Sequence, residues 1–205
     1  VDTSAPLLGE PLPVELMNTI WADRDGVYDA LDEPAAATAW LRAIAPRVGL
    51  PFVAALDGLT AVDIARIARQ LTALRDALRR LAAEATDDPR PAAASVTREL
   101  RDAVGTVNRV AAVAPRWSAL IWESGDTPTR VFRASDQAVA TISAIADEAI
   151  HLFSGDSRLQ LRACLAPGCV LYFSKDHPRR EWCSSACGNR ARAARHYQRH
   201  RPATT

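Results

Sequence analysis

The chain has 205 residues, 48% of them hydrophobic and 24% charged, a globular composition that excludes a wholly disordered protein. No stretch approaches the roughly 20 apolar residues of a membrane span, and Val1-Asp-Thr-Ser-Ala-Pro lacks the basic and apolar regions of a signal peptide, so a cytoplasmic protein with no membrane partner is expected. The formal net charge of +1 divides along the chain: residues 1–157 carry 15 arginines against 22 acids (−7), whereas residues 158–205 carry ten basic residues against two acids (+8), which predicts a polyanion partner at one end only.

Three prolines make the first 13 residues extended. Met17, Ile20 and Trp21 then recur at helical spacing, with Asn18 and Thr19 on or beside the apolar face. Asp23-Arg-Asp-Gly26 breaks that element. Asp32-Glu-Pro34 opens a second helix to about Ala45, with Pro34 suited to the first turn. Pro46 to Gly58 reads as a connector. Thr60-Ala-Val-Asp63 is a variant capping box that starts the longest helix, to about Ala85. Its apolar positions Ile64, Ile67, Leu71, Leu74, Leu78 and Leu81 lie three or four apart; Arg66, Arg69, Arg75, Arg79 and Arg80 fall on other faces, as a charged outer surface or a binding surface.

Thr86-Asp-Asp-Pro-Arg-Pro91 is a break, after which a helix is predicted from about Ala92 to Val113. Residues 117–123 and 129–134 are short and rich in β-formers, and the turn Ser124-Gly-Asp-Thr-Pro128 joins them as a hairpin. Ser135-Asp136 caps a helix to about Phe153, and Ser154-Gly-Asp-Ser157 marks a domain boundary. His151 falls near that helix end, as a surface imidazole.

All four cysteines lie in the remaining segment, as the pairs Cys164/Cys169 and Cys183/Cys187 with thirteen residues between the pairs. Two close pairs suit a tetrahedral four-cysteine zinc site, because each pair bends round one metal while the intervening chain returns the second pair to it. Two disulfides are the alternative, disfavoured in a reducing cytosol. Four thiolates close the coordination sphere, so one structural Zn2+ is expected; His177, His196 and His200 are the other ligands available. Pro167-Gly168 supplies a knuckle turn, Val170–Ser174 and Arg179–Trp182 read as a strand and its return, and Cys183 and Cys187 begin a helix to about His200. That is the layout of a treble-clef zinc finger. The fold class is α+β and mostly α: a helical N-terminal domain with a small hairpin or sheet, then a treble-clef-like finger.

On the last helix Arg192, Arg195 and Arg199 form one stripe with His196 beside it, extended by Arg190 and Arg201, while Ala191, Ala193 and Ala194 keep the helix slim. Such a helix fits a major groove, where arginine binds guanine in a fork and grips phosphates; a solubilising face, or one for an acidic protein, is the alternative. No Ser/His/Asp or Cys/His arrangement or phosphate loop marks an enzyme. Asn18, Arg24 and Asp29 are what a catalytic reading has to work with.

Cys187-Gly-Asn-Arg190, after Trp182-Cys183 and before Ala-Arg-Ala-Ala-Arg-His-Tyr, closely resembles the CGNR zinc-finger family, and Tyr172-Phe173 with Arg179-Arg180 agrees with its hairpin. The front part resembles the ABATE domain that commonly precedes this finger, through Leu16-Met-Asn-Thr19 and through Asp29 to Leu31 before Pro34, Trp40 and Leu41, with Pro13-Val-Glu-Leu-Met replacing a more usual Leu-Asp-Phe run. The resemblance implies a stress-linked transcription regulator that binds DNA through its finger. Residues 1–157 would be a ligand-sensing or assembly domain, with Asn18, Thr19 and Arg24 as pocket candidates, and residues 158–205 the finger. Partners would be DNA, a small-molecule effector and a second copy as homodimer. Gly188 would let the backbone pass close to the knuckle, and Asn189 and Arg190 would orient the helix start or touch DNA.

Overall fold

The structure is a computed structural model that describes residues 5–48, 50–91, 95–115 and 117–200. Its elements run α1 (Leu12–Met17), β1 (Ile20–Ala22), β2 (Val27–Asp29), α2 (Pro34–Val48), α3 (Leu50–Leu56), α4 (Ala61–Thr86), α5 (Leu100–Ala112), β3 (Trp117–Ile121), β4 (Thr129–Arg133), α6 (Gln137–Ser154), a 3-10 turn (Asp156–Gln160), β5 (Leu161–Ala163), β6 (Tyr172–Ser174) and α7 (Ser185–His200). The strands form three antiparallel two-stranded ribbons, β1-β2, β3-β4 and β5-β6, between helices, which makes the protein the mostly α, α+β molecule expected.

The strongest sequence signals sit where they were read. Thr60 caps α4 with a full capping box, its hydroxyl accepting from the Asp63 amide at 3.2 Å while the Asp63 carboxylate accepts from the Thr60 amide at 3.1 Å. Asp136 caps α6 through the Val139 amide. The β3-β4 ribbon pairs Ala119 with Val131 at its centre.

Three expectations are corrected. Ile20 and Trp21 do not continue the first helix: Asn18 ends α1 and Thr19 turns its hydroxyl back onto the Leu16 carbonyl, so the chain leaves as β1 and returns through Asp23–Gly26 as β2. The stretch Pro46 to Gly58 is not a bare connector. Pro46 lies inside α2, and α3 follows at Leu50–Leu56, burying Phe52 and Leu56. Helix α5 starts at Leu100; the predicted start at Ala92 lies outside the described residues.

Helix α4 is the spine. Its Ile67, Leu71, Leu74 and Leu78 pack with Leu16 and Met17 of α1, Leu41 and Ile44 of α2, and Ile145, Ala146 and Ala149 of α6, all almost fully buried. The same core takes in Leu161 and Tyr172 from the β5-β6 ribbon. A second cluster surrounds the cysteines, with Leu171 and Phe173 inside it and Leu8, Trp21 and Trp182 packed against it. The cysteine-bearing segment is therefore seated on the helical domain. Among the described residues no helix is long and apolar enough to cross a membrane.

Candidate metal centre, its basic helix and its seat

Strands β5 and β6 carry the first cysteine pair. They pair in register from Leu161 with Ser174 to Ala163 with Tyr172, and the connection between them is the knuckle. The Cys164 amide donates to the Leu171 carbonyl at 3.0 Å and the Cys169 amide to the Ala166 carbonyl at 2.9 Å, folding the loop back on itself. Gly168 sits at φ +73°, a left-handed backbone that favours glycine. The second pair comes from the start of α7. Ser184 caps it by accepting from the Cys187 amide at 3.2 Å, which turns Cys187 inward in the first turn. The predicted returning strand at 179–182 is absent: the Arg180 amide closes a turn onto the His177 carbonyl, and its guanidinium bonds the Ser174 carbonyl at 3.0 Å.

The four Sγ atoms are buried and lie within 4.8 Å of one another, with Cys169 to Cys183 at 3.8 Å and Cys183 to Cys187 at 3.4 Å. None is in a disulfide. A tetrahedral zinc with four sulfurs at about 2.3 Å separates them by about 3.8 Å, so this donor set fits one structural Zn2+. Hydrogen bonds among the four thiols split them: those with Cys169 and Cys183 bring Cys164 down to about 6 and those from Cys164, Cys169 and Cys183 hold Cys187 far below the usual thiol range, whereas Cys169 and Cys183, led by their bonds with Cys164, are pushed far above it. Two thiolates are thus held by two thiols that donate to them, and binding of a Zn2+ would release the remaining protons, as thiolate coordination requires.

The Cys187-Gly-Asn-Arg190 tetrapeptide builds the edge of this centre. A Cβ on Gly188 would lie 3.2 Å from Trp182 Cδ1, so glycine lets the indole approach the helix closely. The Asn189 side-chain oxygen accepts from Arg192 one turn on. Arg190 is half-buried, and its Nη2 donates to Cys187 Sγ at 2.9 Å. Its buried Nε has no protein partner. Burial opposes the Arg190 charge, but the hydrogen bond to the Cys187 sulfur together with the negative charge of the cysteine cluster outweighs it and raises the pKa. Arg190, expected as a DNA contact or a helix-orienting group, is directed at the metal centre.

Beyond Ala191 the helix leaves the body. Arg192, Arg195, His196 and Arg199 are exposed, and the His196 and His200 rings stack at 4.2 Å. Tyr197, which sequence reasoning did not single out, is 76% exposed among these arginines. Arg201 lies outside the described residues.

The pocket candidates have other partners. Asn18 is fully buried and reads the β6 backbone as a neighbouring strand would: its amide donates to the Tyr172 carbonyl and accepts from the Tyr172 amide, both at 2.9 Å. Thr19 accepts from Arg75 at 3.2 Å, and Arg75 pairs with Asp29 at 2.5 Å. Both side chains are engaged inside the protein. Arg24 lines an open cavity of about 580 Å³ between the β1-β2 turn and the knuckle residues Leu165 to Val170.

The seat of the finger rests on residues the sequence hid. Arg79, 1% exposed, donates to the Met17 carbonyl at 2.9 Å and the Val170 carbonyl at 3.3 Å. One nitrogen of Arg90 meets three knuckle carbonyls, those of Cys164, Cys169 and Leu171, at 3.0–3.2 Å, while the rest of its guanidinium forks onto Asp88. Both guanidinium groups lie over the Tyr172 ring, Arg79 at 5.3 Å and Arg90 at 4.9 Å from its centroid. Its hydroxyl donates to Asp88 at 2.7 Å; burial first, and this bond next, push the phenol up to about 12, so it stays a donor. Glu10 completes the seat by accepting from the Ser174 amide and pairing with Arg180. The reading of Arg75 and Arg79 as outer-face arginines is corrected: both are buried on α4, where the finger and the β1-β2 ribbon cover them.

Residues 10–156 match the ABATE family model, described as "Putative stress-induced transcription regulator", and residues 160–200 match the CGNR zinc finger. No curated protein matches the chain. With the helical domain, the four-cysteine centre and the tetrapeptide in place, the chain belongs to the ABATE family and carries a CGNR zinc finger.

Proposed function

We propose that the protein is a cytoplasmic DNA-binding transcription regulator whose zinc is structural and whose α7 is the reading element. The observation that carries this is the exposed stripe Arg192, Arg195 and Arg199, on a helix rooted in the metal centre and free of acidic residues. A rigidly rooted arginine helix presents forks to guanine edges and charge to phosphates without first having to fold. The helical domain senses a small molecule or brings two copies together. A cavity of about 610 Å³ between α6, α3 and β4, floored by Leu12, Phe52 and Ala140, supports the first role. The reading is of a binding protein rather than an enzyme: Asp29 is ion-paired to buried Arg75 and the Asn18 amide is committed to Tyr172.

Fluorescence anisotropy of a labelled duplex with zinc-loaded protein tests this. Binding is expected to weaken with salt at a log-log slope of about −0.9 per phosphate contacted. Absent or salt-insensitive binding contradicts the proposal.

A further inference from the structure

Three arginines touch the cysteine cluster, and two of them have their charges answered elsewhere. Arg90 donates to the Cys164 and Cys169 carbonyls, but its counter-ion is Asp88 at 2.6 Å. Arg180 donates to the Cys183 carbonyl at 3.3 Å and pairs with Glu10 and Asp176. Arg190 differs in both respects. It reaches a sulfur rather than a carbonyl, with Nη2 at 2.9 Å from Cys187 Sγ, and among the described residues no carboxylate pairs with it.

The local sequence dictates that contact. Residues three apart on a helix share a face, and helical side chains lean back toward the N-terminus, so an arginine at position 190 of α7 lies over the sulfur at 187. Arg195 and Arg199 extend into solvent, whereas Arg190 is half-buried and its Nε is buried without a protein partner. That arrangement costs solvation, which an arginine serving only solubility avoids.

The chemistry of the centre supplies the reason. Four thiolates round one Zn2+ leave two net negative charges, and they lie among Leu171, Phe173 and Trp182, where charge is poorly solvated. The α7 N-terminus offers Cys187 partial positive charge but no full one. A hydrogen bond donated by a cation is the strong way to stabilise such a sulfur.

We propose that Arg190 is the counter-ion of the zinc–thiolate centre. Its guanidinium draws charge from the Cys187 sulfur, strengthens retention of the metal and ties the second turn of α7 to it. Arg190 then serves the metal, and the exposed stripe of α7 begins at Arg192.

The full chain loaded with Co2+ in place of zinc is the test. Sulfur-to-cobalt charge-transfer absorption reads the charge held on the thiolates, while the visible bands of tetrahedral cobalt report that coordination is intact. Arg190→Met removes the charge and keeps an extended side chain. It is expected to move the charge-transfer band to longer wavelength with the visible bands in place. It is also expected to weaken Zn2+ binding by about tenfold or more in competition with a chromophoric chelator, the usual effect of losing a group hydrogen-bonded to a metal ligand. Arg190→Lys keeps the charge and is expected to lie closer to wild type in both readouts. A band that stays in place in Arg190→Met, or an equal loss of affinity in the Met and Lys variants, marks the side chain as packing and overturns the proposal. If Arg190→Met takes up no metal, Arg190→Lys decides: affinity near wild type supports the counter-ion, and affinity lost to the same degree overturns it.

Discussion

The two sides of the zinc finger use arginine in opposite ways. On the knuckle side, Arg79 and Arg90 are withdrawn from water and engaged with main-chain carbonyls, an aspartate and the ring of Tyr172. On the helix side, Arg195 and Arg199 stand in solvent, with no such partners among the described residues. The residue type is the same and the function differs. What separates them is the geometry of what lies opposite: a loop bent round a metal points several carbonyls outward at one spot, which calls for a buried cation, whereas a helix one turn beyond its cap has its own carbonyls satisfied and leaves its side chains free. The finger is thus a wedge, fixed at one face and presented at the other.

The contrast breaks most completely if the metal is removed. Structural zinc contributes roughly 10–16 kcal/mol in small zinc modules. Because Tyr172 and Leu161 belong to the main core, Cys183→Ser or a chelator is expected to disorder the finger and also to lower the melting temperature of the helical domain. Differential scanning calorimetry with and without chelator measures this; a helical domain whose transition does not move shows that the seat carries no coupling.

Next in size is Arg90→Ala. It strands the buried Asp88 carboxylate and three carbonyls, a loss of about 3–5 kcal/mol by analogy with broken buried pairs. Denaturant unfolding of the zinc-loaded protein reads it, and an effect below about 1 kcal/mol contradicts the seat described here.

Asn18→Ala is smaller, about 1–3 kcal/mol, since it leaves the Tyr172 amide and carbonyl buried without partners. Asp88 adds a pH signature. Burial opposes its charge, but the Arg90 and Tyr172 hydrogen bonds outweigh that and lower its pKa in the folded state. Its contribution is therefore complete above the ordinary carboxylate value of about 4 and is lost as pH falls through the lowered folded value. The stability gap between wild type and Asp88→Asn is expected to be constant near neutral pH and to close in acid. A gap that widens in acid has the wrong sign for this account.

The legible parts of the molecule were those specified locally. The paired cysteines, the Thr60 capping box, the Asp136 cap and the β3-β4 turn each announce themselves within a few residues, and each stands where it was expected. Arg75 and Arg79 were misread because their α4 positions border the apolar stripe, and what buries them is remote: Val170 lies 91 residues from Arg79 in the chain. Asn18 and Thr19 stood out as polar residues beside an apolar face, but whether such a pair serves a ligand or the protein's own backbone depends on which strand arrives opposite. Arg90 sat in a stretch rich in Asp and Pro that reads only as a break, since three carbonyls converging on one nitrogen leave no mark in sequence. The strand expected at 179–182 failed for a related reason: Arg180 is held by Glu10, 170 residues away.

The sharpest form of the comparison assigns DNA binding to the exposed arginines alone. The decisive measurement is the salt dependence of duplex binding by zinc-loaded wild type and by the combined Arg192→Ala, Arg195→Ala and Arg199→Ala variant, with thermal stability followed in parallel. If each side chain contacts a phosphate, the log-log slope should become shallower by about 0.9 for each one removed, while the melting temperature stays where it was. An unchanged slope with an intact fold would show that α7 is not the reading element.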